Sequence, residues 1–192
     1  MDLETLKVLN KRGRFIRGNC GPAHEPSWAA PGPRSGVPAC DMSFAARESA
    51  IFAQPQAGFG LIPGAGGIQH LARRMGRGRA LEVILSGEDY DADLAERYGW
   101  INRALPAAEL GAFVASLAHR IAKFPPPAHV AIKERVNAIA LAPIGEFRRD
   151  SDLFLERARS PEAQGRMKDA VPRGFQTREG ELDLARLIGE LG

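Results

Sequence analysis

The sequence predicts an α/β protein whose second half is entirely helical. Short apolar segments typical of strands lie on both sides of a glycine-rich turn at residues 58–67. Beyond the three prolines at 125–127, apolar residues recur at helical spacing almost to the C-terminus. The 192 residues are 44% hydrophobic and 26% charged, which suits one soluble globular domain with a real core.

The glycine-rich turn is the centre of this pattern. It holds five glycines within ten residues, and glycine lets a backbone reach positive φ and lets other groups approach its amides. Ile68, Leu71, Ala72 and Met75 then share one face of a helix. The start of such a helix can hold an anion, a polarised carbonyl or a water, because its first N–H groups are unpaired. A packed connection without chemistry is the alternative.

Two phosphate-binding motifs are excluded at this turn. A dinucleotide fingerprint that begins at Gly64 needs glycine where the chain has Gln69. A P-loop needs lysine after its last glycine, and Ile68 follows Gly67.

Before the turn we expect three short elements. Residues 2–9 are expected to begin a helix, residues 15–18 to form a strand, and residues 43–53 to pass through another strand. Residues 21–38 are rich in proline and glycine, which favours an irregular loop.

After the turn the chain alternates helices with recognisable ends. Residues 77–86 form a helix that ends at Gly87, and Asp91 caps a helix that ends at Gly99. Residues 100–105 are expected to form a strand. The helix at 107–123 has one apolar face, which we expect to pack internally: Leu110, Phe113, Val114, Leu117 and Ile121.

Four more helices are predicted beyond the prolines. They cover residues 130–141 and 144–157, a segment that begins at Ser160-Pro161-Glu162, and residues 180–191. The second carries Phe147, Phe154 and Leu155. The fourth carries an apolar stripe formed by Leu184, Leu187, Ile188 and Leu191. We expect the last two helices to contact neighbouring subunits.

Several blocks between residues 39 and 175 resemble the enoyl-CoA hydratase/isomerase (crotonase) family in their order and spacing. They are Cys40-Asp-Met-Ser-Phe44, Phe52-Ala-Gln-Pro-Gln56, Gly60-Leu-Ile-Pro-Gly-Ala-Gly-Gly-Ile-Gln69, Gly76-Arg-Gly-Arg79 and Gly99-Trp-Ile-Asn-Arg103. The resemblance implies a truncated crotonase-like core, a ββα spiral, at 39–124. A divergent, irregular segment at 1–38 would precede it, and a helical oligomerisation region at 125–192 would follow it.

The resemblance also implies particular site residues. The family hydrates enoyl thioesters with two backbone N–H groups and two glutamates. Gln56 occupies the position of the second glutamate, and glutamine cannot ionise as a carboxylate does. Gly64 matches the position whose amide holds the catalytic water. Arg173 and Phe175 match a basic and an aromatic residue near coenzyme A, with simple packing as the alternative for Phe175.

The upstream part of the family pattern is missing. The first glutamate and the first oxyanion-hole amide are not found, and the proline-flanked Glu25 does not match the motif. A shifted reading frame between residues 18 and 39 is one explanation. Without upstream cover, we expect Phe44, Ile51 and Phe52 to be the least protected side chains of the core.

Three functions remain open at this point. They are an enoyl-CoA hydratase or isomerase, a non-catalytic acyl-CoA-binding or assembly subunit, and a non-functional fragment. We expect an acyl-CoA thioester as ligand, coenzyme A only as part of the substrate, no other cofactor and no metal. A homo-oligomer (a trimer or hexamer, by resemblance) or an assembly with intact family members is expected.

Composition adds expectations about setting. The two cysteines, Cys20 and Cys40, have no metal-ligand spacing and indicate no disulfide framework. No continuous apolar stretch suits a secretion signal or a membrane span, so a cytoplasmic location is expected. The net charge of +3 suits an anionic ligand, and no basic block interleaved with aromatics predicts nucleic-acid binding.

Overall fold

The computed structural model describes residues 7–9, 15–16 and 41–191 of the chain. The strands in this part are β1 (Lys7–Leu9), β2 (Phe15–Ile16), β3 (Ser43–Ala46), β4 (Ile51–Phe52), β5 (Tyr90–Asp91) and β6 (Arg103–Leu105). The helices are α1 (Gly67–Met75), α2 (Arg77–Ser86), α3 (Ala92–Tyr98), α4 (Ala107–Ala122), α5 (Pro126–Ala140), α6 (Ile144–Ala158), α7 (Pro161–Ala170), α8 (Arg178–Leu182) and α9 (Leu184–Gly189). The predicted α/β class with a helical second half is confirmed.

Four of the strands form one sheet in the order β2-β1-β3-β6. Strand β3 is parallel to both β1 and β6, and β2 is antiparallel to β1. Phe44 lies opposite Arg103 and Ala46 lies opposite Leu105. All four residues of β3 are buried, as is usual for a strand between parallel neighbours. Strands β4 and β5 form a separate antiparallel pair, with Phe52 opposite Tyr90.

The N-terminal strands confirm one expectation and correct another. The strand expected at 15–18 is present as Phe15–Ile16. The prediction of a helix that begins within residues 2–9 is wrong for Lys7–Leu9. These residues form a strand that pairs with Ser43 and Phe44 of β3. The backbone hydrogen bonds between β1 and β3 outweigh the weak local preference of these residues for helix. The remainder of residues 2–9, the predicted loop at 21–38, Glu25 and both cysteines lie outside the described residues.

The helix ends around the core agree with the predicted caps. Gly87 and Gly99 have φ values of +64° and +80°, the left-handed conformation that glycine adopts without a steric penalty. The Asp91 carboxylate accepts a hydrogen bond of 2.7 Å from the backbone N–H of Leu94. These local signals fix where α2 ends and where α3 begins and ends.

The first hydrophobic core lies between α1, α2, α3 and the β4–β5 pair. Trp100 is at its centre, with the Phe52 ring 5.6 Å and the Tyr90 ring 6.1 Å from it, measured between ring centroids. Leu71 of α1 and Val83 of α2 are completely buried in the same cluster. This core supports the segment between β4 and α1.

The prediction that Phe44, Ile51 and Phe52 would be the least protected side chains of the core is wrong for the two phenylalanines. Phe44 is 3% exposed because α4 covers it, with the Phe113 ring 5.3 Å away and Leu110 and Val114 beside it. Phe52 is 1% exposed because it packs against Trp100. Ile51 is half-buried. The described chain therefore covers this part of its core with its own helices.

The C-terminal helices differ from the prediction in detail. Helix α5 begins at Pro126, and the single helix expected at 180–191 is divided into α8 and α9 at Asp183. The stripe Leu184, Leu187, Ile188 and Leu191 is buried against Phe59 and Ala170 of the same chain. Expecting this stripe to face another subunit was therefore wrong, because the turn at Phe59 already occupies it. Across the residues described, no helix combines the length and apolar character needed to cross a membrane.

Candidate functional site

The first part of the candidate site is a 3-10 turn, Pro55–Phe59, that follows β4. Proline at its first position favours this tight turn, and Gly60 ends it with φ +71°. Gln56 lies within the turn and its backbone carbonyl accepts a hydrogen bond of 2.9 Å from Leu61 N–H. Its side-chain Oε1 is buried and has no hydrogen-bond partner among the described residues. This oxygen is an acceptor available to a donor from a ligand or a water.

The second part is the glycine-rich turn that leads into α1. Ala65 and Gly66 both have positive φ, +50° and +83°, and Gly67 N–H donates to the Gly64 carbonyl over 3.1 Å. Helix α1 has no side-chain cap and no acidic residue in its first turn. The positive end of its dipole therefore faces the turn without a protein carboxylate from that first turn to neutralise it.

Helix α6 packs directly on this glycine-rich turn. A Cβ placed on Gly66 would lie 2.5 Å from the Phe147 ring, and one on Gly64 would lie 3.4 Å from Phe154. Between these aromatics, Asp150 accepts a hydrogen bond of 3.1 Å from Gln69 Nε2. Glycine at 66 is thus required both for the close packing of Phe147 and for the positive φ, whereas Phe154 is in ordinary van der Waals range of position 64.

The 3-10 turn is held by the C-terminal helices as well. Arg166 of α7 donates a hydrogen bond of 2.7 Å to the Gly58 carbonyl, and Arg157 of α6 donates one of 3.3 Å to the Gly60 carbonyl. Ile188 of α9 packs closely on Gly58, where an added Cβ would lie 2.8 Å from it. The two turns of the site are therefore both fixed by helices of the same chain.

His70 lies in the first turn and a half of α1, beside the glycine-rich turn. Its ring lies 5.2 Å from Phe147, and its backbone N–H donates to the Gly66 carbonyl over 2.9 Å. Burial lowers the pKa of His70, and the positive charges of Arg74 and Arg73 lower it further. The imidazole is therefore harder to protonate than a free histidine, and its ring packs against Phe147 of α6.

The structure separates the predicted site residues into two groups. Gln56 and Gly64 lie on consecutive turns of one segment. Arg173 instead donates a hydrogen bond of 2.8 Å to the Glu190 carbonyl, and the Phe175 ring packs 4.8 Å from Phe59. Both have intrachain partners, so contact with coenzyme A stays a prediction for them. Within the described ranges, no group of three or more metal-ligating side chains is present.

Sequence reasoning missed the contacts from α6 and α7. It named Phe147, Phe154 and Leu155 as the apolar residues of this helix, but Leu155 is exposed and Asp150 is buried. Phe147, Asp150 and Phe154 are spaced i, i+3 and i+7, which is the signal that could have placed them on one helix face. An acidic residue within that spacing is more often solvated, so the pattern did not identify it.

The chain matches one protein family over most of its length. The sequence model described as "Enoyl-CoA hydratase/isomerase" matches residues 35–167. Among curated proteins, a short-chain-enoyl-CoA hydratase from Clostridium acetobutylicum is 35% identical over 98 residues, which are 51% of this chain and 37% of that protein. A mitochondrial enoyl-CoA hydratase from Pongo abelii is 37% identical over 99 residues, covering 52% of this chain and 34% of that protein. The matched part of the chain thus spans about a third of these relatives.

Solved structures agree with this family match and with the crotonase-like fold. A crystal structure of "a putative enoyl-CoA hydratase" from Streptomyces avermitilis has a TM-score of 0.80 and 52% identity, covering 81% of this chain and 56% of that one. An enoyl-CoA hydratase from Mycobacterium avium subsp. paratuberculosis has a TM-score of 0.62 and 28% identity, covering 66% of this chain and 52% of that one.

Proposed function

Because the chain belongs to the enoyl-CoA hydratase/isomerase family, we propose that it binds acyl-CoA thioesters at the two turns between Gln54 and Gln69. We further propose that its capacity to hydrate or isomerise them is impaired. The observation that supports this most directly is the pairing of an intact glycine-rich turn with a neutral residue, Gln56, where the family motif has a glutamate.

The binding half of the proposal depends on the glycine-rich turn. A thioester carbonyl gains negative charge during hydration, and backbone N–H groups stabilise that charge. The start of α1 has a positive dipole end, an uncapped first turn and Gly64 next to it. These features suit a polarised carbonyl or a water. Coenzyme A would enter only as part of the substrate, and the mild positive net charge of +3 suits its phosphates.

The impaired half of the proposal depends on Gln56. Hydration needs a group that takes a proton from water and returns one to carbon, and such a group contributes ~10²–10⁴-fold to the rate. The amide of Gln56 can accept and donate hydrogen bonds but does not exchange protons near neutral pH. Its Oε1, buried and without a hydrogen-bond partner in the described part of the chain, can hold a water or a ligand hydroxyl without activating it.

The decisive experiment is a hydration assay of the purified chain with crotonyl-CoA, followed by the loss of the conjugated thioester absorbance. We expect a rate near background. We also expect Gln56→Glu alone to recover only part of the activity, since the family's other glutamate is not identified in this chain. Ala112→Glu, at an exposed position of α4, introduces the same negative charge on a helix that packs on β3 instead of on the two turns, and it is the control. Ordinary turnover by the unmodified chain would contradict the proposal.

Binding is measured separately by calorimetric titration with crotonyl-CoA, with free coenzyme A as the comparison. Tighter binding of the thioester than of coenzyme A is expected if the turns hold the acyl carbonyl. No binding of either compound would contradict the binding half of the proposal.

The second candidate function is that of an assembly subunit, working as a homo-oligomer or with intact family members in the cytoplasm. It is favoured by the apolar side chains that α5 exposes, among them Val130, Val136 and Ile139. Light scattering of the purified chain tests it. A single 20.7 kDa species at all concentrations, which is the mass of one chain, would contradict the homo-oligomer. The same mass after mixing with an intact family member would contradict the mixed assembly.

A further inference from the structure

Helix α6 buries a carboxylate where a hydrophobic residue would be expected. Of its fifteen residues, Asp150 is the one that the described chain buries, at 6% exposure, while Leu153 and Leu155 are 39% and 50% exposed. Removing a carboxylate from water is expensive unless hydrogen bonds compensate for it. Packing alone therefore does not explain why this residue is turned inward.

The inward-facing carboxylate belongs to a chain of hydrogen bonds that ends at the glycine-rich turn. Gln69 Nε2 donates to Asp150 Oδ2 over 3.1 Å, and Gln69 Oε1 accepts from Arg73 Nη1 over 2.8 Å. Gln69 lies in the first turn of α1, two residues after Gly67. The amide of Gln69 thus connects the buried negative charge on α6 to a positive charge on α1.

Two aromatic rings complete the contact on either side of Asp150. Phe147, one turn before it, packs on Gly66 and His70, and Phe154, one turn after it, packs on Gly64. The rings set how closely α6 approaches the turn, because no Cβ on Gly66 would fit beneath Phe147. Apolar packing of this kind does not fix rotation or sliding by itself, whereas a hydrogen bond of fixed direction does.

We propose that Asp150 is a positioning residue for the glycine-rich turn: through Gln69 it fixes the start of α1 and the backbone of Gly64 against α6. In this respect the proposal rests on the proposed function, since the turn is where the thioester carbonyl or a water would bind. The residue itself does not touch the ligand. Its role is to keep the backbone groups of residues 64–67 in one orientation before a ligand arrives.

The test is backbone amide hydrogen exchange at residues 64–69, measured by NMR on the full chain without ligand. In Asp150→Leu, where no acceptor is left for Gln69, we expect these amides to exchange about 10- to 100-fold faster. Asp150→Asn keeps an acceptor oxygen but loses the charge, so a smaller increase is expected. Asp152→Asn, at the exposed neighbouring aspartate on the same helix, is the matched control and should exchange as the unmodified chain does.

A purely structural role predicts a different result. It would accelerate exchange throughout α6 and the core, whereas the proposal predicts acceleration concentrated at 64–69, with α4 unchanged. If Asp150→Leu does not fold, Gln69→Leu and Asp150→Asn decide the matter. Both should accelerate exchange at the turn, and the double variant should add little to either. Wild-type exchange at 64–69 in both folded variants would overturn the proposal.

Ligand binding provides an independent readout. If the unmodified chain binds crotonyl-CoA, Asp150→Asn should weaken that binding by about 3- to 30-fold, as loss of a charge-assisted hydrogen bond implies. Equal affinity of Asp150→Asn and the unmodified chain would overturn the proposed link to ligand binding. If the unmodified chain binds no thioester, the proposed function fails, while the exchange experiment still decides whether Asp150 orders the turn.

Discussion

Helices α5 and α6 are neighbours in sequence and similar in length, but they have opposite relations to the rest of the chain. In helix α6, Asp150 is buried, and Phe147 and Phe154 pack on the glycine-rich turn. No residue of α5 is buried by the described part of the chain, and Ile139 on it is 80% exposed. An apolar helix face left uncovered is usual where another protein surface binds.

Contact with the candidate site separates α6, α7 and α9 from α5. Helices α6, α7 and α9 contact the two turns of the candidate site through side chains such as Asp150, Arg166 and Ile188. They belong to the site as much as the glycines do. Helix α5 forms an ion pair over 2.7 Å between Lys133 and Asp41, an exposed residue just before β3, and pairs of this kind add little stability.

The largest expected difference between these regions is in stability. Leu187→Ala in α9 removes a side chain that is 3% exposed, and we expect the free energy of unfolding to fall by ~2–5 kcal/mol. Ile139→Ala in α5 removes one that is mostly in water, and we expect a change within about 0.5 kcal/mol at low protein concentration. Urea denaturation at micromolar concentration measures both.

Protein concentration sharpens the same comparison. If α5 binds a second copy, the effect of Ile139→Ala should grow as concentration rises, because association stabilises the folded state. The effect of Leu187→Ala should not change in that way. Equal losses for the two variants at low concentration would mean that α5 is covered by this chain, contrary to the structure.

The next effect in size concerns the contact between α6 and the glycine-rich turn. Gly66→Ala adds a Cβ 2.5 Å from Phe147 at a φ of +83°, so both packing and backbone conformation oppose it, and a loss of ~1–3 kcal/mol is expected. Gly78→Ala in α2 is the control, because the space around that Cβ is open. Alanine should stabilise the helix there by about 0.5–1 kcal/mol. A thermal melt that ranks the two variants in the other order would contradict the packing described.

How much could be predicted from the sequence depends on how local each feature is. The cap at Asp91 and the helix ends at Gly87 and Gly99 are determined by a few adjacent residues, and their positions were predicted correctly. Lys7–Leu9 was not, because its partner strand is about 36 residues away and supplies the hydrogen bonds that make it a strand.

The candidate site shows the same limit. Gln56 and Gly64 were identified because a motif within the chain marks them. The contacts from Asp150, Arg157 and Arg166 join residues 81 to 108 positions apart, and no short-range pattern encodes such contacts. The burial of Phe44 likewise depends on α4, which lies far along the chain. The interpretation based on the missing upstream segment therefore underestimated how much of the core the later helices bury.

The smallest expected effect is the pH dependence of the contact between His70 and α6. Burial lowers the pKa of His70 below 6.5, and Arg74 and Arg73 lower it further, so the folded chain resists protonation more than the unfolded chain does. Well above pH 6.5 the imidazole is neutral in both the folded and the unfolded chain, so burying it costs no free energy of deprotonation. As the pH falls below 6.5, the unfolded chain binds a proton at His70 more readily than the folded chain does, and the free energy of unfolding falls.

We expect His70→Gln to reduce this loss of stability between neutral pH and pH 5, measured by urea denaturation at several pH values. His119→Gln, at an exposed histidine of α4, should leave it unchanged. The same pH profile for His70→Gln and the unmodified chain would mean that α6 does not bury the ring in solution, and it would weaken the contrast drawn between α6 and α5.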